Sequence, residues 1–281
     1  MTAGAEQRQR SRTLRISLAI LAGLMFAGFF ALGTWQVYRL QWKLALIERV
    51  DQRVHAPATD APGVAQWPQV SAESDDYRHV RIAGMYLPGA DTLTLASLDR
   101  GIGYWVLTPL CTADGGIVLI NRGFVPAGTG GWRAQPAPAK ARADACGALA
   151  TSSPAPAVVT VSGLLRVSEI ASALRKNEPA RNYWYTRDTR AIAAERGLPA
   201  VAPYFIDADA ASAAAADLPV AGATAQPVGG LTVVSFVNNH LVYALTWYGL
   251  ALMVVAAAVW MVRDARNGKG RGRAESTHGA G

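Results

Sequence analysis

Residues 237–255 read VNNHLVYALTWYGLALMVV. Two asparagines precede His240, and a long apolar run begins directly behind it. Leu241 to Val262 is 22 residues without a charge, and Ile16 to Tyr38, near the other end, is 23. At 1.5 Å per residue each run makes a helix about 33–35 Å long, enough to cross about 30 Å of hydrocarbon. Neither contains proline. The chain therefore reads as two membrane helices with a domain between them.

Charge placement agrees. The 281 residues carry a net charge of +7, yet only 17% are charged, against about 25% in soluble domains. Arg8, Arg10, Arg12, Arg15, Arg263, Arg266, Lys269, Arg271 and Arg273 lie outside the two runs, against only Glu6, Asp264 and Glu275. The residues between are almost neutral, so no basic face for nucleic acid is expected. Basic residues flank each run on its outer-sequence side, which predicts both termini in the cytoplasm. The expected layout is a cytoplasmic N-terminus (1–15), a first span (16–38), an extracytoplasmic β-rich domain (39–239), a second span (240–262) and a cytoplasmic tail (263–281). Trp35 and Trp260 stand near span ends, as interface aromatics do. Ala31-Leu32-Gly33 has the small-x-small look of a cleavage site. The run before it exceeds the roughly 7–15 residues of a signal core, so a retained anchor is expected. Ala19, Gly23, Ala27 and Ala31 form a small-residue ridge that predicts close approach of another helix.

After the first span the helix is expected to continue through RLQWKLALIERV, and Ala56 to Pro68 reads as a loop. Strand-like runs follow: YRHVRIAGMYL, TLTLASL, YWVLTPL, GIVLINRGFV, VVTVSGLLRV, PYFIDA and LTVVSFV. Their β-branched and aromatic content and Gly-bounded turns predict an antiparallel sheet, barrel-like or sandwich-like. One short helix is expected, capped by Asp188, filled by TRAIAAER and stopped by Gly197. Residues 127–157 and 208–230 are rich in Ala, Pro and Gly and read as flexible insertions. Cys111 and Cys146 can form a disulfide in an external compartment, and spacing alone leaves that open.

No apparatus for catalysis is visible. There is no GxSxG elbow, HExxH zinc helix, P-loop or dinucleotide fingerprint, and no Cys/His set with metal spacing. His55, His79 and His278 stand in a loop edge, on a strand read as exposed, and in the tail. The expectation is a protein that is not an enzyme. His240 differs. On a helix it shares a face with Ala244, Trp247 and Ala251, and Tyr243 borders that face. Imidazole is a common axial ligand of haem iron, and Arg39 and Lys43 at the same surface could neutralise propionates. From the residues alone, an interfacial histidine among belt aromatics is the favoured reading, with the ligand as the alternative.

Several motifs resemble the Surfeit-locus-1 family of cytochrome c oxidase assembly factors. LGTWQVYRLQWKLALI is similar to the family's first-span exit, with Gly33, Trp35, Gln36, Arg39 and Lys43 in place. YRHVRIAGMYLP, GYWVLTPL with VLINRGFVP, VSGLLR, the Trp184/Asp188 stretch and PYFIDA follow in family order, and NNHLVYALTWYGLA is the most specific element. The resemblance implies a haem-copper oxidase assembly factor that binds haem a transiently and aids its delivery from a haem a synthase to oxidase subunit I. It implies His240 as the axial ligand of the haem iron. Trp247, Tyr243, Trp35 and Arg39 are the expected neighbours of the cofactor. It also implies a multi-pass protein of a bacterial inner membrane, with the lipid bilayer as a further partner. The alternative is a scaffold that stabilises subunit I without binding haem. The two Ala/Pro insertions and the cysteine pair depart from the family's pattern.

Overall fold

Alternation of side chains across a strand decides which residues meet, and in the β-rich domain it serves two cores at once. The strands are β1 (Thr59–Asp60), β2 (His79–Tyr86), β3 (Thr92–Leu98), β4 (Gly101–Thr112), β5 (Ile117–Pro126), β6 (Val159–Val167) and β7 (Val201–Ala208). On β5, Val118 and Ile120 join Leu110, Leu165, Tyr204 and Ile206 in one cluster. Ile117 and Leu119 point the other way and join Leu107, Trp184, Ile192 and Phe205 in a second. Both faces are covered, so β5 is buried along all but its last residue rather than at every second position.

The computed structural model describes residues 3–127, 140–141, 144–154, 156–171, 176–215, 218, 226–232 and 238–278. It divides into two units, residues 49–234 and residues 1–48 with 235–281. In the first unit β2 pairs with β6, β6 with β7, β7 with β5, β5 with β4, and β4 returns to β2. That ring is a closed barrel. Most pairings are antiparallel, as expected, but β5 and β7 run parallel, as do β1 and β2. β3 extends β4 beyond the ring. Closure removes the open edges that invite aggregation.

Local chemistry explains the breaks. The β4–β5 turn uses Gly115 at φ +82°, and Thr112 Oγ1 donates to Asp114 Oδ1 across it (2.6 Å). Register slips opposite Arg122–Gly123. Gly123 sits at φ +126°, and a Cβ there would lie 2.2 Å from the Val228 carbonyl oxygen. That carbonyl accepts from Phe124 N (2.9 Å), so only glycine admits the crossing segment.

The helices are α1 (Ala3–Val54), α2 (Ala72–Asp75), α3 (Ala145–Ala150), α4 (Thr189–Arg196), α5 (Ala210–Ala215) and α6 (His240–His278). α4 is the short helix expected. The Asp188 carboxylate accepts from Ala191 N, and Gly197 ends the helix in the left-handed region at φ +69°. Its buried Ile192 faces the second core. Each of the two insertions contains a short helix. α3 lies inside the first, and a Cys111–Cys146 disulfide ties it to the end of β4, Cα–Cα 5.6 Å. Ala141 N donates to Arg196 O (2.7 Å). α5 lies inside the second, with Ala213 buried in the barrel core. Alanine-rich composition hid both, because alanine packs well where space is narrow. The last strand-like run, LTVVSFV, falls mainly on residues outside the described set.

The second unit is a pair of helices. α1 continues past the first span as expected. The segments Thr13–Val54 and His240–Asp264 are long and apolar enough to cross a membrane. Leu21, Leu24, Leu245 and Leu252 are among many large apolar side chains left exposed on them, which suits lipid rather than water.

Candidate functional site

The helix pair brings together residues about 200 positions apart. Gln36 on α1 meets His240 on α6, and Phe29 stacks on Trp247 with ring centroids 5.8 Å apart. Those two contacts run in opposite order, so the helices are antiparallel. Thr34 Oγ1 and Tyr248 Oη share a hydrogen bond (3.1 Å). A Cβ at Gly33 would sit 2.8 Å from the Tyr248 ring. Close approach therefore happens at Gly33. Ala19, Gly23, Ala27 and Ala31 are exposed instead. The ridge expected from sequence points away from the contact, and on α6 the small buried residues are Ala244 and Ala251.

The face drawn from periodicity, His240 with Ala244, Trp247 and Ala251, is thus the face that α6 presents to α1. At its end the imidazole is fixed. Gln36 Oε1 can only accept, so His240 Nδ1 donates to it (2.8 Å). In the neutral ring the lone pair then lies on Nε2, and no described residue hydrogen-bonds that nitrogen. The helix start above it is loosely capped: Asn238 Oδ1 lies 3.5 Å from His240 N.

The other expected residues are not in one shell with His240. Trp35 is 56% exposed and Tyr243 53%. Arg39 is exposed and its guanidinium lies 4.3 Å from the Trp42 ring centre. A helix turns about 100° per residue, which places Trp35, Arg39 and Trp42 on one flank of α1. Antiparallel pairing puts Tyr243 on the same flank of α6. One side of the pair thus carries aromatic edges and a cation beside His240, while Trp247 is engaged with Phe29.

Gln36 is the residue that periodicity missed. It is the only amide side chain in the uncharged first span. An amide in hydrocarbon needs a partner, and that requirement was a legible signal.

The β-rich domain holds a different kind of polar cluster. The Asp207 carboxylate, 2% exposed, meets Arg187 at 3.1 Å and Arg166 at 3.5 Å. Asn121 Nδ2 donates to it at 2.7 Å. Arg166 also pairs with Asp76, and Arg187 with Glu169. Burial raises the Glu169 carboxyl, but hydrogen bonds and charge from Arg187 outweigh it and hold it below its usual range. Asp91 goes the other way: burial lifts it despite Thr108, Arg122 and Arg196. Most of these polar atoms are paired with one another, but Asp207 Oδ2 accepts no hydrogen bond among the described residues and has only Arg166 Nη1 at 3.5 Å. His79 is not the exposed strand residue expected. Its Nδ1 donates to Ala56 O (3.0 Å) and its Nε2 to Asp209 (2.9 Å).

A sequence model of the SURF1 family matches residues 23–252. The chain belongs to the SURF1 family. Surfeit locus protein 1 of Mus musculus is 32% identical over 81% of this chain and 70% of its own length. The Homo sapiens protein of that name is 31% identical over 79% and 70%. A SURF1-like protein of Monosiga brevicollis is 30% identical over 86% of both. The family is known for cytochrome c oxidase assembly, and with two membrane-capable helices the chain is a membrane protein. The matched residues take in most of the first span, the barrel and His240, Tyr243 and Trp247.

Proposed function

We propose that this chain is an assembly factor for haem-copper cytochrome c oxidase that carries haem a on its helix pair and passes it to subunit I. His240 Nε2 would be the axial ligand. Imidazole supplies one lone pair to the iron, and a single such bond is suited to a cargo that must be released. Trp35 and Tyr243 would lie against the macrocycle, and Arg39 would meet its propionates. Haem a would come from a membrane-bound haem a synthase, entering sideways from the lipid. The observation that carries this reading is the fixed imidazole: Nδ1 is spent on Gln36 and Nε2 is left open.

Orientation follows from charge. Basic flanks on both spans favour cytoplasmic termini and an external barrel in a bacterial inner membrane. The Cys111–Cys146 disulfide suits an oxidising compartment.

The test is a visible spectrum of protein purified from cells that make haem a, with and without His240→Ala. The variant should lose most of its haem. Equal haem content in both would sink the ligand role. A scaffold that holds subunit I without haem is the second reading, favoured by the large apolar side chains that stay exposed on both helices and could meet another membrane protein. It predicts that subunit I co-purifies with the chain and that neither protein preparation contains haem.

A further inference from the structure

Of the polar side chains in the helix pair, Gln36 has no role in the reading above beyond its contact. It lies on the opposite helix from His240, 204 residues away in sequence, and its amide oxygen meets Nδ1 at 2.8 Å. A neutral imidazole has one proton and two nitrogens. Whichever nitrogen donates, the other carries the lone pair. An acceptor at Nδ1 therefore decides that Nε2 is the ligating atom. It also adds electron density to the ring, as second-shell acceptors do for metal-bound histidines. The bond is part-buried between the two helices at the ends of their spans.

We infer that Gln36 is the positioning residue for His240: it holds the Nδ1–H tautomer and so makes the ligand strength of Nε2 depend on the pairing of α1 with α6. This rests on the haem-binding reading for its purpose, but not for its geometry. The grip on the iron is then not a property of α6 alone. When the helices part, Nδ1 loses its acceptor and Nε2 becomes the weaker, less oriented donor. A partner that separates the helices would loosen the cargo without touching it.

The tautomer is read first, in haem-free full-length protein in lipid nanodiscs. With nitrogen-15 histidine there are four residues to resolve, His55, His79, His240 and His278, and His240→Ala assigns the relevant signals. Wild type and Gln36→Glu should show His240 protonated at Nδ1 and bare at Nε2. Gln36→Leu should shift His240 toward the opposite tautomer. The same Nδ1–H signature in Gln36→Leu would overturn the inference. Haemin is then titrated as the probe. Gln36→Leu should weaken binding by about tenfold or more. Gln36→Glu should restore it, with a more negative iron midpoint potential than wild type because a carboxylate is the stronger acceptor. Where His240→Ala does lose haemin, a tautomer change in Gln36→Leu with unchanged haemin affinity would also overturn the inference. If His240→Ala binds haemin as well as wild type while the tautomer responds to Gln36 as stated, the ligand reading fails and the positioning geometry stands.

Discussion

The barrel and the helix pair spend their polar groups differently. In the barrel a buried carboxylate, Asp207, is met by two arginines and an asparagine, and those arginines reach two further acids. In the helix pair, one amide meets one imidazole and one hydroxyl meets one phenol. The barrel closes on itself and buries both faces of its central strands. The pair leaves most of its apolar surface exposed and one ring nitrogen open. A densely paired network makes a rigid body. A sparse one, with a ring nitrogen whose lone pair is open, is suited to meet something else.

The contrast is sharpest at Asp207. Asp207→Ala leaves Arg166 and Arg187 buried with less compensation, and breaking a buried pair costs about 3–5 kcal/mol. Thermal unfolding followed by near-ultraviolet circular dichroism should show a large drop. A change under about 1 kcal/mol would mean that the network is no stiffer than a surface pair.

A smaller effect is expected at the barrel rim. His79 donates from both nitrogens, to Ala56 O and to Asp209. Only the imidazolium has both protons. Burial alone would lower its pKa, but the Asp209 and Ala56 bonds outweigh this and raise it above the ordinary histidine value of about 6.5. The stabilisation is therefore full below about 6.5 and is lost as pH rises through the folded value. The site is part-exposed, so its worth is at most about 1 kcal/mol. Wild type should exceed His79→Gln in stability by more at pH 6 than at pH 8.5. A pH-independent difference would show that the charge is not involved.

The smallest effect belongs to the helix pair. A double-mutant cycle of Thr34→Val and Tyr248→Phe should give a coupling of about 0.6 kcal/mol, typical of hydrogen bonds between membrane helices. Denaturation in mixed micelles measures it. A coupling as large as the Asp207 loss would erase the contrast between the two units.

Much of this was legible from residues alone. The spans, the cap at Asp188 and most of the strands follow from patterns local in sequence. The closure of the barrel does not, because β5 and β7 pair in parallel across a long separation and no local pattern encodes a partner. α3 and α5 were hidden for a different reason. Alanine and glycine give no amphipathic contrast, yet α3 is pinned by Cys146 and α5 by buried Ala213. At the candidate site, periodicity found His240 and its face. It could not say that the face meets α1, nor that Gln36 holds Nδ1, because a bond between two helices leaves no trace in either one's period.

The parallel seam between β5 and β7 has a consequence for how the molecule is made. Asn121 and Asp207, whose side chains bond across that seam, are 86 residues apart. The hairpin of β4 and β5 can form as soon as it emerges, whereas the ring must wait for β7. Long-range pairing of this kind is entropically slow. Sealing the barrel is therefore a late event in the life of the nascent chain, and until then Asn121 waits without its Asp207 partner.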